Sequence, residues 1–246
     1  IVGLGFSPQG TLDLGSSSHT FDIGNSSNAL FDLSISAPIT GTGGFTKTGA
    51  GTLYLSANNS YSGATILNGG MLYTDMESAL GAAPATPTPG HLQFNGAILS
   101  TFSGFTLNAN RGVLFGAGGA TFQIDSGGTI SYAGIAAGPG GLTKTGSGIL
   151  ALSGANTYAG FTTIAVGTLS TTASNTLPAN NTVVLTPGGS AVLQLNGTSQ
   201  AISALQIRRG RHHDQQGVYR VSREEVRRGH PARRHRESDS IREGPA

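Results

Sequence analysis

A basic side chain beside a glycine-rich turn, as in Lys47–Thr52, is an arrangement that can bind phosphate. A phosphate-binding loop, however, has the order Gly-x-x-x-x-Gly-Lys-Ser/Thr and opens a helix. Here the lysine precedes the glycines, and the alternating pattern of a strand follows. The segment therefore predicts a turn whose glycines adopt positive φ angles, and we expect Lys47 and its counterpart Lys144 to lie on the outer surface.

Asp13, Asp22 and Asp32 lie in similar short strings, spaced nine and then ten residues apart. Regularly spaced aspartates can form a calcium ladder, as in glycine-rich nonapeptide repeats. Those repeats place the aspartate after a Gly-Gly-x-Gly turn, whereas each aspartate here stands between two apolar residues of an expected strand. Alternation directs such a residue outward, so we expect solvated acids, with a weak Ca²⁺ site as the alternative.

Catalysis would require acids, bases or nucleophiles brought together, and the sequence up to Ile207 offers few. Asp75 and Glu77 are the one pair of acids within four residues of each other, and His19 and His91 have no partner at metal-ligand spacing. The chain has no Cys, which excludes disulfides and thiolate metal sites. We predict no catalytic, cofactor-binding or metal-binding residues and no enzyme activity. A polysaccharide-binding or polysaccharide-degrading protein is the alternative.

Aromatic residues could form a glycan-binding strip, although such residues in strands more often serve packing. The residues concerned are Tyr54, Tyr61, Tyr73, Phe94, Phe115 and Tyr158.

The charge distribution divides the chain near Ile207. Residues 1–207 carry three basic and six acidic groups, a net charge of −3, whereas residues 208–246 carry eleven Arg and six acids, a net charge of +5. Three interpretations of the second part are open: a site for an anionic partner, a disordered tail with one short helix capped by Ser222 and Glu225, or the product of a shifted reading frame. Its six acids and its single aromatic residue, Tyr219, argue against nucleic-acid binding. We favour the shifted frame.

Two stretches of the chain repeat each other. Gly44–Leu80 aligns without a gap on Gly141–Leu177 at an offset of 97 residues, and His91–Gly96 is echoed by Val192–Gly197. Within the repeat, Thr52–Ser56 alternates apolar and polar residues, which predicts a strand with Leu53 inside and Tyr54 outside. Similar runs lie at Thr11–Leu14, Thr20–Ile23, Leu30–Leu33, Gly112–Phe115, Thr121–Ile124 and Gly128–Tyr132.

Many short strands at even spacing fit either a β-sandwich or a β-solenoid. The in-line repeat, an aromatic content of 7% and a charged content of 11% favour the solenoid, in which neighbouring coils cover most strand positions. Coils of roughly 20 to 25 residues are expected. The sequence therefore predicts an all-β region at 1–207, with repeat copies near 41–81 and 138–178, followed by the Arg-rich tail at 208–246.

The repeat resembles the autotransporter-associated β-strand repeat of type V secretion. The first copy reads Gly44-x-Thr-Lys-Thr-Gly-x-Gly-x-Leu-x-Leu-Ser56, then Asn59-x-Tyr61-x-Gly63-x-Thr65 and Gly70-x-Leu72. The second copy reads Gly141–Ser153, then Asn156-x-Tyr158-x-Gly160-x-Thr162 and Gly167-x-Leu169. The resemblance implies a right-handed parallel β-helix in the passenger of a secreted protein of Gram-negative bacteria. It implies a location at the cell surface or in the medium, and a structural rather than a catalytic role.

From these observations we expect a surface-display segment with an adhesive role, whose partner is an unknown surface ligand or a second copy of the chain. No apolar run reaches the roughly 18 residues of a membrane helix, and no nucleic-acid partner or cofactor is expected. The chain starts without Met or a basic leader, and we see no C-terminal translocator barrel. We therefore expect a fragment that is anchored to the outer membrane through a missing part.

Overall fold

The computed structural model describes residues 10–125, 127–186 and 190–207, and the backbone of 2–4 and 220–221. The interpretations of the Arg-rich tail thus concern residues that lie almost wholly outside the described part. The strands are β1 Val2–Leu4, β2 Leu12–Asp13, β3 His19–Asp22, β4 Leu33–Ile35, β5 Ile39–Thr40, β6 Phe45–Thr48, β7 Thr52–Leu55, β8 Thr65–Leu67, β9 Met71–Tyr73, β10 Thr88–Phe94, β11 Ala97–Thr101, β12 Gly104–Leu107, β13 Arg111–Phe115, β14 Ala120–Ile124, β15 Thr129–Tyr132, β16 Ala136–Ala137, β17 Leu142–Thr145, β18 Ile149–Leu152, β19 Thr162–Ile164, β20 Gly167–Thr171, β21 Asn181–Leu185, β22 Ala191–Gln194, β23 Ile202–Ile207 and β24 Arg220–Val221. A 3-10 helix spans Glu77–Leu80.

All strand pairings of the described residues are parallel, and each strand pairs with strands of the preceding and following coils. Three long sheets result. Face 1 has the order β3-β6-β8-β10-β13-β16, face 2 has β1-β4-β7-β9-β11-β14-β17-β19-β21-β23, and face 3 has β12-β15-β18-β20-β22-β24. Strands β2 and β5 pair separately and precede face 1 in the first coils. The predicted parallel β-solenoid is confirmed.

Coil length varies more than the sequence suggests. The register pairs Leu53 with Leu72, a coil of 19 residues, and Leu72 with Leu99, a coil of 27 residues. The longer coil contains the 3-10 helix and an exposed stretch that ends near Thr88. The 3-10 helix closes the first repeat copy, and the exposed stretch that follows it lies between the two copies.

The core is a column of inward-facing side chains that alternation selects from each strand. Leu53 and Leu55 in β7 are completely buried, while Tyr54 between them faces outward, as predicted. The predicted strand at Leu30–Leu33 is wrong in its bounds, because Leu30 is 83% exposed and pairing begins only at Leu33.

The two repeat copies occupy different faces of the solenoid. The register stacks Leu53 in order beneath Leu72, Leu99, Phe122 and Lys144. Four coils after Leu53, the residue in the same position of the solenoid is thus Lys144. The repeat equivalent of Leu53 is Leu150, which comes six residues later in the chain. As a result β6 and β7 lie on faces 1 and 2, whereas their equivalents β17 and β18 lie on faces 2 and 3. The second copy is turned one face further round the axis.

Candidate functional site

The lysines of the repeat point into the solenoid. Lys47 and Lys144 are both fully buried, because each stands two residues after an inward-facing apolar residue, Phe45 or Leu142, of the same strand. The expectation that they lie on the outer surface is wrong. Their aliphatic stems follow the core while the ammonium groups reach the turn at the corner.

Each ammonium group binds carbonyl oxygens of two successive coils. Lys144 Nζ donates to the carbonyls of Thr145 at 2.6 Å, Gly146 at 2.7 Å and Val166 at 3.3 Å. Lys47 Nζ makes the equivalent contacts with Thr48, Gly49 and Gly69 at 3.1 to 3.5 Å. Burial lowers the pKa of Lys144 to about 8, and only a weaker attraction from Asp125 opposes this shift. The lysine is thus a structural clamp on the turn.

The glycine that follows in the motif makes room for this clamp. Gly167 has a φ of +76°, and a Cβ there would lie 2.3 Å from the Gly146 oxygen and 2.9 Å from Lys144 Nζ. Gly70, with a φ of +59°, would place a Cβ 2.5 Å from Lys47 Nζ. Within the turn, Gly49 and its counterpart Gly146 have the positive φ that the sequence predicts, whereas Gly51 and Gly148 do not. The carbonyls of the turn bind the lysine ammonium group.

The asparagine of the motif hydrogen-bonds backbone groups of the neighbouring coils at one corner of the coil. Asn59 Oδ1 accepts from the amide of Ile39 at 2.8 Å, and its Nδ2 donates to the carbonyl of Ala79 at 2.6 Å, so one side chain joins three coils. Asn156 joins Ala136 and Thr176 in the same way. A shallow cleft of about 300 Å³ lies beside Asn156, but its amide is committed to these backbone partners.

The tyrosine of the motif is a core residue. Tyr61 is fully buried and its hydroxyl pairs with Thr65 Oγ1 at 2.7 Å, and Tyr158 pairs with Thr162 at 2.6 Å. Burial raises the pKa of both phenols far above the ordinary value. The motif Asn-x-Tyr-x-Gly-x-Thr is therefore explained by packing and hydrogen bonding within the coil.

A cluster of ionisable groups lies under the insertion between the copies. Arg111, 1% exposed, donates from Nε to Glu77 Oε1 at 2.6 Å and from Nη1 to the carbonyl of Leu80 at 2.9 Å. His91 is also buried, and its Nδ1 lies 3.3 Å from Arg111 Nη1. The sequence alone pairs Glu77 with Asp75 and gives His91 no partner, because Arg111, which contacts both Glu77 and His91, is 34 and 20 residues away from them. The fold brings together an acid, a base and a cation, but their polar atoms are hydrogen-bonded to one another and to backbone carbonyls.

The remaining carboxylates fasten turns. Asp75 accepts from the amides of Phe102 and Ser103 and from the hydroxyls of Thr101 and Tyr73, at 2.7 to 3.0 Å. Burial alone would raise its pKa, but these hydrogen bonds outweigh burial and lower the pKa.

The three aspartates that suggested a calcium ladder are not brought together by the fold. Asp13 ends β2, which lies outside the long sheets, whereas Asp22 and Asp32 flank the corner between faces 1 and 2, where Asp22 accepts from Thr48 and Asp32 from Thr52. Asp32 accepts from the amides of Thr52 and Ser26, which lower its pKa. Within the described ranges no group of three His, Asp or Glu could hold a metal ion.

The aromatic residues proposed as a strip divide into two sets. Tyr61, Phe94, Phe115 and Tyr158 are buried in the core. Tyr54 and Tyr73 lie on the outside of face 2, where Phe31 packs against both, with ring centroids at 4.6 and 5.1 Å. This outer aromatic cluster, Phe31, Tyr54 and Tyr73, fastens the loop before β4 to the sheet.

Comparison with known proteins agrees with the motif. Residues 45–73 and 142–170 match the family model described as the passenger-associated-transport-repeat. The chain is 38% identical over 162 residues to the Adhesin BmaC autotransporter of Brucella suis biovar 1 (strain 1330). That alignment covers 65% of this chain but 4% of the relative. No solved structure matches the chain, and no helix in the described part is long and apolar enough to cross a membrane.

Proposed function

We propose that this chain, which contains two passenger-associated-transport repeats and is similar to an autotransporter adhesin, is a structural module of a passenger that is displayed on the outside of the cell and has no catalytic activity of its own. The observation that carries this proposal is the use of its charged side chains. Lys47, Lys144 and Arg111 donate to backbone carbonyls, and Asp32 and Asp75 accept from backbone amides. Groups that could perform chemistry are thus engaged in holding the coils.

Adhesion is the second part of the proposal. It is supported by the relative, which is named an adhesin, and by the outward-facing residues that the coils hold rigidly in place. An unknown surface ligand or a second copy of the chain is the partner we propose. A polysaccharide is the alternative partner, and the outer aromatic cluster, whose rings are half-buried, is where a sugar ring would contact aromatic side chains.

Two assays test these proposals. For display, the full chain is placed between a leader and a translocator from a characterised autotransporter, and added protease should remove it from intact cells; a chain that stays protected contradicts the display role. For adhesion, beads coated with the purified chain are added to epithelial monolayers, with albumin-coated beads as the control. Attachment at the control level overturns the adhesive role.

The same protein separates a scaffold from the polysaccharide alternative. We expect no new reducing ends from a panel of soluble polysaccharides, and their appearance would overturn the non-enzymatic proposal. If polysaccharide binding is observed, Tyr54→Ala tests the outer aromatic cluster and Thr143→Ala, an outward-facing change on face 2 away from that cluster, is its control. Binding lost only in Tyr54→Ala favours the alternative.

A further inference from the structure

Arg111 fixes the inserted segment between the two repeats. Its Nη1 and Nη2 donate to the carbonyls of Leu80 and Gly81, and a longer contact of 3.4 Å reaches Ala82. These carbonyls end the 3-10 helix, whose first residue Glu77 receives the Nε hydrogen bond. One buried guanidinium therefore holds both ends of the 3-10 helix against face 1.

His91 can join this arrangement only as a neutral imidazole. Its Nδ1 lies 3.3 Å from Arg111 Nη1, and its Nε2 lies 3.2 Å from the carbonyl of Ser62. A guanidinium only donates hydrogen bonds, so Nδ1 must accept and the ring proton must reside on Nε2, from which it donates to Ser62. A second proton on Nδ1 would set two N–H groups and two buried cations against each other.

We propose that His91 is an acid-sensitive latch: its protonation releases Arg111 and, with it, the 3-10 helix Glu77–Leu80 and the segment that follows. The charged groups that act on the ring are Arg111 from β13 and Glu77 from the 3-10 helix. Glu77 is the one carboxylate of the cluster, and Arg111 already engages it at 2.6 Å. A second cation at His91 thus finds no free anion in this cluster.

The pH dependence follows from the direction of the shift. Burial lowers the pKa of His91 below its ordinary value of 6.5, helped by the Arg111 charge, and together they outweigh the Ser62 hydrogen bond and the Glu77 charge, which raise it. The unfolded segment binds the proton at 6.5 and the folded segment only at a lower pH, so the folded form is favoured above 6.5 and loses stability as the pH falls towards the folded-state pKa. One linked proton increases the opening constant by up to about tenfold per pH unit in this window.

Amide hydrogen exchange on the full chain measures this opening. We expect the protection factors at residues 77–82, corrected for intrinsic exchange, to fall by up to about tenfold per pH unit as the pH is lowered from 6.5 towards the folded-state pKa. His91→Gln, which keeps an acceptor and a donor without a titrating ring, should remove this dependence. His19→Gln, a change at the exposed histidine that contacts the Leu14 carbonyl, should retain it. The same dependence in His91→Gln would overturn the proposal.

A measurement on the unaltered chain keeps the proposal testable if His91→Gln does not fold. Nitrogen chemical shifts of the imidazole report both tautomer and protonation. We expect His91 to carry its proton on Nε2 at pH 7 and to titrate below 6.5. A proton on Nδ1, or titration at or above 6.5, contradicts the latch.

Discussion

Replacement of Lys144 by Met removes the ammonium clamp and keeps a buried side chain of similar length. At neutral pH, keeping that ammonium charged in a buried site costs up to about 3 kcal/mol, because its pKa is lowered from 10.5 to about 8, and less where solvent screens the turn. Its three hydrogen bonds, each from a charged donor, contribute about 2 kcal/mol apiece. The net loss expected for Lys144→Met is therefore about 3 kcal/mol.

Urea denaturation at pH 7 measures this loss, and the m-value should stay constant if the folded state is unchanged. Thr143→Ala, an outward-facing change in the same strand, should alter stability by no more than about 0.5 kcal/mol. Lys47→Met tests the first repeat, where the longer contacts of 3.1 to 3.5 Å should make the loss smaller.

The pH dependence measures what it costs the folded chain to keep Lys144 charged. Between pH 8 and about 10 the unfolded chain holds the Lys144 proton and the folded chain has lost it, so stability rises with pH by up to about 1.4 kcal/mol per unit. Lys144→Met should flatten this rise. If Lys144→Met is as stable as the natural chain at pH 7, the hydrogen bonds of Lys144 do not stabilise the corner. If Lys144→Met keeps the full rise, the buried charge of Lys144 is not its cause.

Three further changes test other parts of the coil. Asn156→Ala leaves the buried amide of Ala136 unpaired and removes one of the two hydrogen bonds that the Thr176 carbonyl accepts, so it should cost about 2 kcal/mol in urea denaturation, whereas Asn58→Ala, at an exposed site, should cost under about 0.5; equal losses would show that the Asn156 side chain does not stabilise the corner. Gly167→Ala should cost about 3 kcal/mol through both its φ and the clash with Gly146, but Gly15→Ala, with a φ of +58° and open space, only about 1; similar values would show that the clash relaxes. Burial raises the pKa of Tyr132 to about 12, so folding holds its proton and stability is lost as pH rises from 10 towards 12; absorbance at 295 nm should show this phenol ionising only with unfolding, and ionisation at pH 10 would refute it.

The sequence is sufficient to predict the solenoid, but it does not predict the side-chain contacts at its corners. The repeat and the alternation of Leu53, Tyr54 and Leu55 predict stacked strands, because neither depends on the distance between coils. The same alternation places Lys47 inside with Phe45, but residue type alone predicts the opposite, because lysines usually lie in solvent.

The cluster around Arg111 could not be predicted. Its contact with Glu77 depends on a coil of 27 residues, and a sequence without a fixed coil length gives no register for such an insertion. In the repeats, by contrast, the spacing from Asn59 to its partners at Ile39 and Ala79 is one short coil in each direction. Regular coils therefore make contacts that a motif can encode, and irregular coils make contacts that only coordinates reveal.

The second repeat copy is rotated by one face about the solenoid axis relative to the first, and this rotation shows what the motif specifies. Its lysine, glycine, asparagine and tyrosine make the same contacts in both copies, although the copies lie on different sides of the rod. The motif therefore encodes two linked coils and the corner between them, not a position on the solenoid. The number of residues between the copies sets the face on which the second corner lies. The same spacing therefore sets the direction in which an intervening segment, such as the one before Thr88, projects from the solenoid.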